Sequence, residues 1–238
     1  MLFFFIRHGD PTYNPDDLTP LGERQAEAVA KRLALYGIDR VYASTSNRAK
    51  RTAIPTCELM KKELSLEDWC REGYAWEQMT VVDANGKKRW GFQDDAMSAF
   101  FNSSELRAMG KDWYDHPRFK GTTFKEGMLR IGQAADAFFA KLGYVHDTEN
   151  CLWRATAPTE ERIALFAHQG FGLAFLSWIL DLPYPAFCTH FDMGHSGMTV
   201  IEFADQNGVV IPKVLTLADD AHLYREGLPT YYQNRIHF

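Results

Sequence analysis

The sequence predicts a three-layer α/β domain, with a mostly parallel central sheet covered by helices on both faces. Short apolar runs of strand length alternate with longer segments whose apolar residues recur at helical spacing. Two of those runs lead straight into a histidine: Phe3-Phe4-Phe5-Ile6 into Arg7-His8-Gly9, and Arg162 to Ala167 into His168. With 238 residues, 46% of them hydrophobic, the chain is long enough for one large core. It therefore reads as a single domain over 1–238 with an insertion or lid at about 73–123.

The elements follow in order. The first apolar run delivers Arg7, His8 and Gly9 to its carboxyl end, where open α/β sheets place ligands. Asp10 to Asp17 is polar and turn-rich. Thr19 then supplies an N-cap and Pro20 a first helical residue, and Ala26, Val29, Ala30 and Leu33 form one apolar stripe that ends at Gly37. Asp39 to Ser44 reads as a second strand. A helix follows from about Asn47, which Pro55 is expected to shorten or kink.

From Trp69 to about Thr123 the periodicity weakens, and tryptophans and phenylalanines lie among glycines and charges. This predicts a partly helical insertion over the carboxyl edge of the sheet. It is either an aromatic lid that shapes a pocket or a satellite core under long loops. Phe124 to Gly143 is helical, with Met128, Ile131, Ala135 and Phe138-Phe139 on one face. Arg162 to Ala167 is a buried strand opening onto His168. Gly170 to Leu180 is an apolar helix closed by Pro183, and Met198 to Phe203 and Lys213 to Leu217 are the last strands.

A net charge of −5, with both signs mixed along the chain, argues against nucleic acid or an anionic membrane as partner. Cys57, Cys70, Cys151 and Cys188 show no Cys-x-x-Cys spacing and read as free, mostly buried thiols of a reducing compartment. No run approaches the roughly 20 apolar residues of a membrane span. The first run is too short for a signal peptide, so a cytoplasmic protein is expected. A homodimer is left open.

Six residues are candidates for chemistry: Arg7, His8, Asn14, Arg48, Glu72 and His168. Strand ends and first helical turns can bring them to one crevice although they are distant in sequence. Arginine forks supply fixed charge and paired donors for phosphate oxygens. A histidine held in one tautomer can attack phosphorus, and a second histidine can donate to the oxygens where transition-state charge gathers. A carboxylic acid must protonate the leaving oxygen. His190, Asp192 and His195 have a spacing that fits no recognised metal site, so no metal is expected. His195 precedes a strand that should neighbour the site and is expected in a substrate-facing loop. His116, His146, His222 and His237 receive no role.

In these residues the chain resembles the histidine phosphatase superfamily, in the branch of phosphoglycerate mutases and small phosphatases. Arg7-His8-Gly9 with Asn14 matches the opening motif. Leu18-Thr19-Pro20-Leu21-Gly22 with Gln25-Ala26 matches Leu-Thr-x-x-Gly-x-x-Gln-Ala. Ser44 through Arg48-Ala49 and Thr52-Ala53 matches Ser-x-x-x-Arg-Ala-x-x-Thr-Ala. The resemblance implies that His8 is the phosphorylated nucleophile, that Arg7, Arg48 and His168 form the phosphate pocket, and that Asn14 adds a polar contact. It places the proton donor at Glu72, with Glu77 close behind. It also implies a metal-independent phosphatase of the histidine acid phosphatase type, needing no cofactor and acting on a small phosphorylated substrate. A mutase-type phosphotransferase and a non-catalytic phosphate-binding protein are the alternatives. The chain departs from the pattern at Ala167-His168-Gln169-Gly170, where many members have Gly-His-Gly, and at Asp10-Pro11. It also lacks the mutases' Asn-Glu-Arg-x-Tyr-Gly stretch.

Overall fold

Period-two alternation in the first strand organises the molecule. Phe3 and Phe5 point into one core, with Phe138, Phe139, Phe171 and Phe175, while Phe4 and Ile6 point into another, with Val29, Leu33 and Ala53. All of these side chains are buried, so both faces of the strand are apolar, as a sheet covered by helices on each side requires. The computed structural model describes residues 1–232; His237 lies outside the described residues.

Six strands form the central sheet, in the order Lys213–Asp219, Met198–Glu202, Leu2–Arg7, Arg162–Ala167, Arg40–Ser44 and Leu64–Glu67. Leu2–Arg7, Arg162–Ala167, Arg40–Ser44 and Leu64–Glu67 pair in parallel. Met198–Glu202 runs against both its neighbours, so the sheet is mixed with one reversed strand. In the central pair, Arg7 sits opposite Ala167, so His8 and His168 leave the sheet at the same level.

The first helix spans Pro20–Tyr36, with the Thr19 side chain accepting from Gly22 N and Gly37 left-handed at φ 75°. The second, Asn47–Met60, continues past Pro55, so that proline does not shorten it. Helices Phe124–Lys141 and Gln169–Ile179 cover the opposite face. Between residues 72 and 119 the chain forms short helical turns and a small antiparallel pair of strands, Thr80–Val82 and Lys88–Trp90. Phe101, Trp113, Phe119 and Phe124 pack on one another, mostly edge to face, and join the same core as Phe3 and Phe5 rather than a satellite one, whereas Trp76 and Trp90 reach a cavity. A separate three-stranded sheet of Tyr144–Asp147, Leu152–Ala155 and Val209–Val210 was not anticipated. Cys57, Cys70 and Cys188 are buried and Cys151 is exposed, all as free thiols. Among the described residues no helix is long and apolar enough to cross a membrane.

Candidate active site

The loop after the first strand is clamped from two sides, and the motif residues are the clamps. Gly9 N donates to Thr52 Oγ1 at 2.9 Å, and Thr52 Oγ1 itself donates to Arg48 O at 2.7 Å. Asp10 N donates to Gln25 Oε1 at 2.7 Å, and Thr19 Oγ1 donates to Asp10 Oδ2 at 2.6 Å. Backbone approaches backbone here: a Cβ on Gly9 would stand 2.6 Å from Gly22 O, and one on Gly22 would stand 2.2 Å from Asp10 O. Only glycine fits at either place.

This clamp fixes His8. Its Nδ1 lies 2.7 Å from Gly9 O. A carbonyl can only accept, so the proton is on Nδ1 and the Nε2 lone pair is free. The ring is buried. Burial, and then neighbouring His168 and the charges of Arg7 and Arg48, hold its pKa well below 6.5, so it is a neutral imidazole at physiological pH.

His168 stands 5.2 Å away, ring centre to ring centre, and is wholly buried. Its Nε2 is 2.8 Å from Ser44 Oγ, and Glu72 Oε2 lies 3.4 Å from its Nδ1, too poorly aligned to count as a hydrogen bond. The carboxylate favours the proton on Nδ1, with the Ser44 hydroxyl donating to Nε2. Burial, then Arg48, Arg7 and Arg71, also hold His168 well below 6.5.

Arg7 and Arg48 are buried cations. Arg7 donates through Nη1 to Met193 O at 2.5 Å, and desolvation lowers its pKa to about 10, which leaves it charged. Arg48 donates to Asp16 Oδ1 at 2.7 Å, while Asn47 N holds the other oxygen of that carboxylate. Arg7 Nε, Arg48 Nε and His168 Nδ1 are buried nitrogens without a hydrogen-bond partner among the described residues. Glu72 opens the short helix Glu72–Gln78 and accepts from Phe171 N at 3.2 Å.

Arg7, His8, Arg48 and Glu72 line one cavity of about 650 Å³. His168 adjoins it through His8 and Glu72. Asn14 does not line this cavity; it is exposed in the turn between the strands Pro11–Tyr13 and Asp16–Leu18, whose Tyr13 and Asp16 line the wall instead. Glu72 lines the cavity and Glu77 does not. Sequence reasoning missed Arg71 and Gln169 as cavity walls, while Trp76 and Trp90 come from the aromatic insertion. Gly170 has a local cause, since a Cβ there would meet the Trp90 ring at 2.3 Å. Among the described residues no group of three or more His, Cys, Asp or Glu could hold a metal ion.

Two buried imidazoles and two guanidinium groups surround one crevice at the carboxyl end of an α/β sheet. The family model for the histidine phosphatase superfamily (branch 1) matches residues 3–212, and the chain belongs to that family. A curated relative, "Putative phosphoserine phosphatase 2" of Hydrogenobacter thermophilus, is 27% identical over 108 residues. That alignment takes in 42% of this chain and 50% of the relative, so the chain spans about half the length of the curated relative it matches. Two solved structures share the fold. The phosphoserine phosphatase of Entamoeba histolytica in complex with 3-phosphoglyceric acid has a TM-score of 0.59 at 18% identity, covering 93% of this chain and 98% of that one. A mycobacterial glucosyl-3-phosphoglycerate phosphatase with inorganic phosphate gives the same TM-score, identity and coverages.

Proposed function

We propose that the protein is a metal-independent phosphatase that hydrolyses a small phosphomonoester through a phosphohistidine on His8. The observation that carries this reading is the set of three buried, unpartnered donors, Arg7 Nε, Arg48 Nε and His168 Nδ1, gathered beside a neutral imidazole. Buried donors without partners are costly and need an explanation. Phosphate oxygens would satisfy all three.

His8 Nε2 attacks phosphorus, and the bond from phosphorus to the ester oxygen breaks. Glu72, as the carboxylic acid, gives its proton to that leaving oxygen and becomes a carboxylate. Water then attacks the phosphohistidine while Glu72 takes a proton from it, which releases inorganic phosphate and restores both groups. The cationic donors hold the equatorial oxygens throughout. Asn14, outside the cavity, would add a polar contact only if its hairpin closed over a bound ester. Trp76 and Trp90, contributed by the insertion, favour an ester whose alcohol is apolar or planar.

A panel of phosphate esters, read by release of inorganic phosphate, tests the reading. Wild type turns over at least one ester and His8→Ala turns over none; equal rates from the two would refute it. Incubation with phosphoglycerates separates the mutase alternative, which would exchange isomers instead of releasing phosphate.

A further inference from the structure

A third histidine meets the first two. The His195 ring centre is 5.6 Å from that of His8. Its Nε2 lies 2.9 Å from Arg7 Nη2. A guanidinium only donates, so Nε2 must be the unprotonated nitrogen and the proton sits on Nδ1. Asp10 Oδ1 is 3.3 Å from Nδ1 on that side, and Asp10 Oδ2 is itself held by Thr19 Oγ1. The other terminal nitrogen of Arg7 donates to Met193 O. Both prongs of the fork are thus gripped by one loop, and that loop is tied to the site through Ser196 N, which donates to His8 O at 3.1 Å.

We propose that His195 is a positioning residue: its Nε2 accepts from Arg7 and holds the guanidinium in its phosphate-binding pose. The proposal rests on the phosphatase reading above. Arg7 occupies Nε2, and Nδ1 lies beside the Asp10 carboxylate without the alignment of a hydrogen bond, so the role assigned to His195 is the hold on Arg7 and not donation to phosphate. Burial, and then the Arg7 charge, push its pKa down to about 3, so the acceptor persists in mildly acidic solution. The groups facing it are a cation, Arg7, a carboxylate, Asp10, and the neutral His8. A glutamine can place its Oε1 close to the position of the imidazole Nε2, whereas a leucine fills the space without an acceptor.

The test compares His195→Gln and His195→Leu with wild type, using p-nitrophenyl phosphate turnover and calorimetric binding of inorganic phosphate. Loss of a charge-assisted bond that orients Arg7 is expected to weaken phosphate binding by about 10- to 100-fold in the leucine variant. Its kcat/KM should fall on the order of 10²-fold, while the glutamine variant stays within about fivefold of wild type. Equal impairment of the two variants, or both within about twofold of wild type, overturns the proposal. Failure of the phosphatase reading is distinguishable: turnover would then survive His8→Ala, while phosphate binding would still report on Arg7. Should the leucine variant fail to fold, ¹⁵N NMR of the wild-type imidazole at pH 6 decides. A neutral ring with its proton on Nδ1 supports the role, and an imidazolium or an Nε2–H tautomer overturns it.

Discussion

Replacing Gly9 by alanine tests how tightly His8 is framed. The added Cβ would lie 2.6 Å from Gly22 O and 3.2 Å from Gly22 Cα, against an ordinary contact that begins near 3.4 Å. The two backbones must therefore part by about 0.8 Å, and no flexible side chain stands between them to absorb it. Overpacking of this kind costs about 1–3 kcal/mol. For a chain of this size each kcal/mol shifts Tm by about 2–4 °C, so a fall of about 2–12 °C is expected. Function should suffer beyond stability. Gly9 O fixes the His8 tautomer and Gly9 N is anchored to Thr52, so the same displacement turns the imidazole out of line. Loss of alignment at the reacting nitrogen should lower kcat on the order of 10²-fold at a temperature where the variant remains folded. Differential scanning fluorimetry and steady-state turnover measure the two effects. A Tm within about 1 °C of wild type together with kcat within about twofold would refute the argument that close packing of Gly9 on Gly22 sets the geometry of His8.

Glu72→Gln should slow an alkyl phosphate on the order of 10²–10⁴-fold, but slow p-nitrophenyl phosphate, whose leaving group needs little protonation, by under about tenfold. Equal losses on both esters would remove Glu72 as the acid. His8 and His168, both lowered well below 6.5, should stay neutral when the pH is brought to 5.5, as read by NMR titration. The stability they confer is full above the unfolded value of 6.5 and is lost as the pH falls toward their folded values, so Tm should drop on acidification; titration near 6.5 would contradict this. His146 behaves oppositely. Burial lowers its pKa, but hydrogen bonds to Asp136 and Asp181 outweigh burial and raise it to about 9. Its contribution is full below 6.5 and lost as pH rises through about 9. His146→Leu should cost about 1–3 kcal/mol at pH 7 and flatten the fall of Tm between pH 7 and 10. An unchanged slope would count against the ion triad.

The central sheet and its helices were legible because both code locally. The alternation of Phe3-Phe4-Phe5-Ile6 sorts side chains between two cores, and Thr19, Pro20 and Gly37 mark the ends of one helix within a residue. Four of the six candidate residues, Arg7, His8, Arg48 and Glu72, line one cavity, and His168 adjoins it, because each sits at a strand end or in a first helical turn. What the sequence could not reveal depends on pairings with no local signal. Asp16 holds Arg48 across 32 positions, and Asp136 and Asp181 bracket His146 from separate segments. Trp90 dictates Gly170 only once the insertion folds back onto the helix Gln169–Ile179. Pro55 was expected to shorten or kink the second helix; the helix continues past it to Met60.

Trapping of the covalent intermediate bears most directly on the mechanism. The enzyme is mixed with a ³²P-labelled ester, quenched within milliseconds into alkali, where phosphohistidine survives, and mapped by peptide. The label should reside on the peptide that carries His8, on Nε2, and should be absent from the His8→Ala protein. Label on another residue, or phosphate release by His8→Ala at the wild-type rate, would contradict a nucleophile at the end of the first strand.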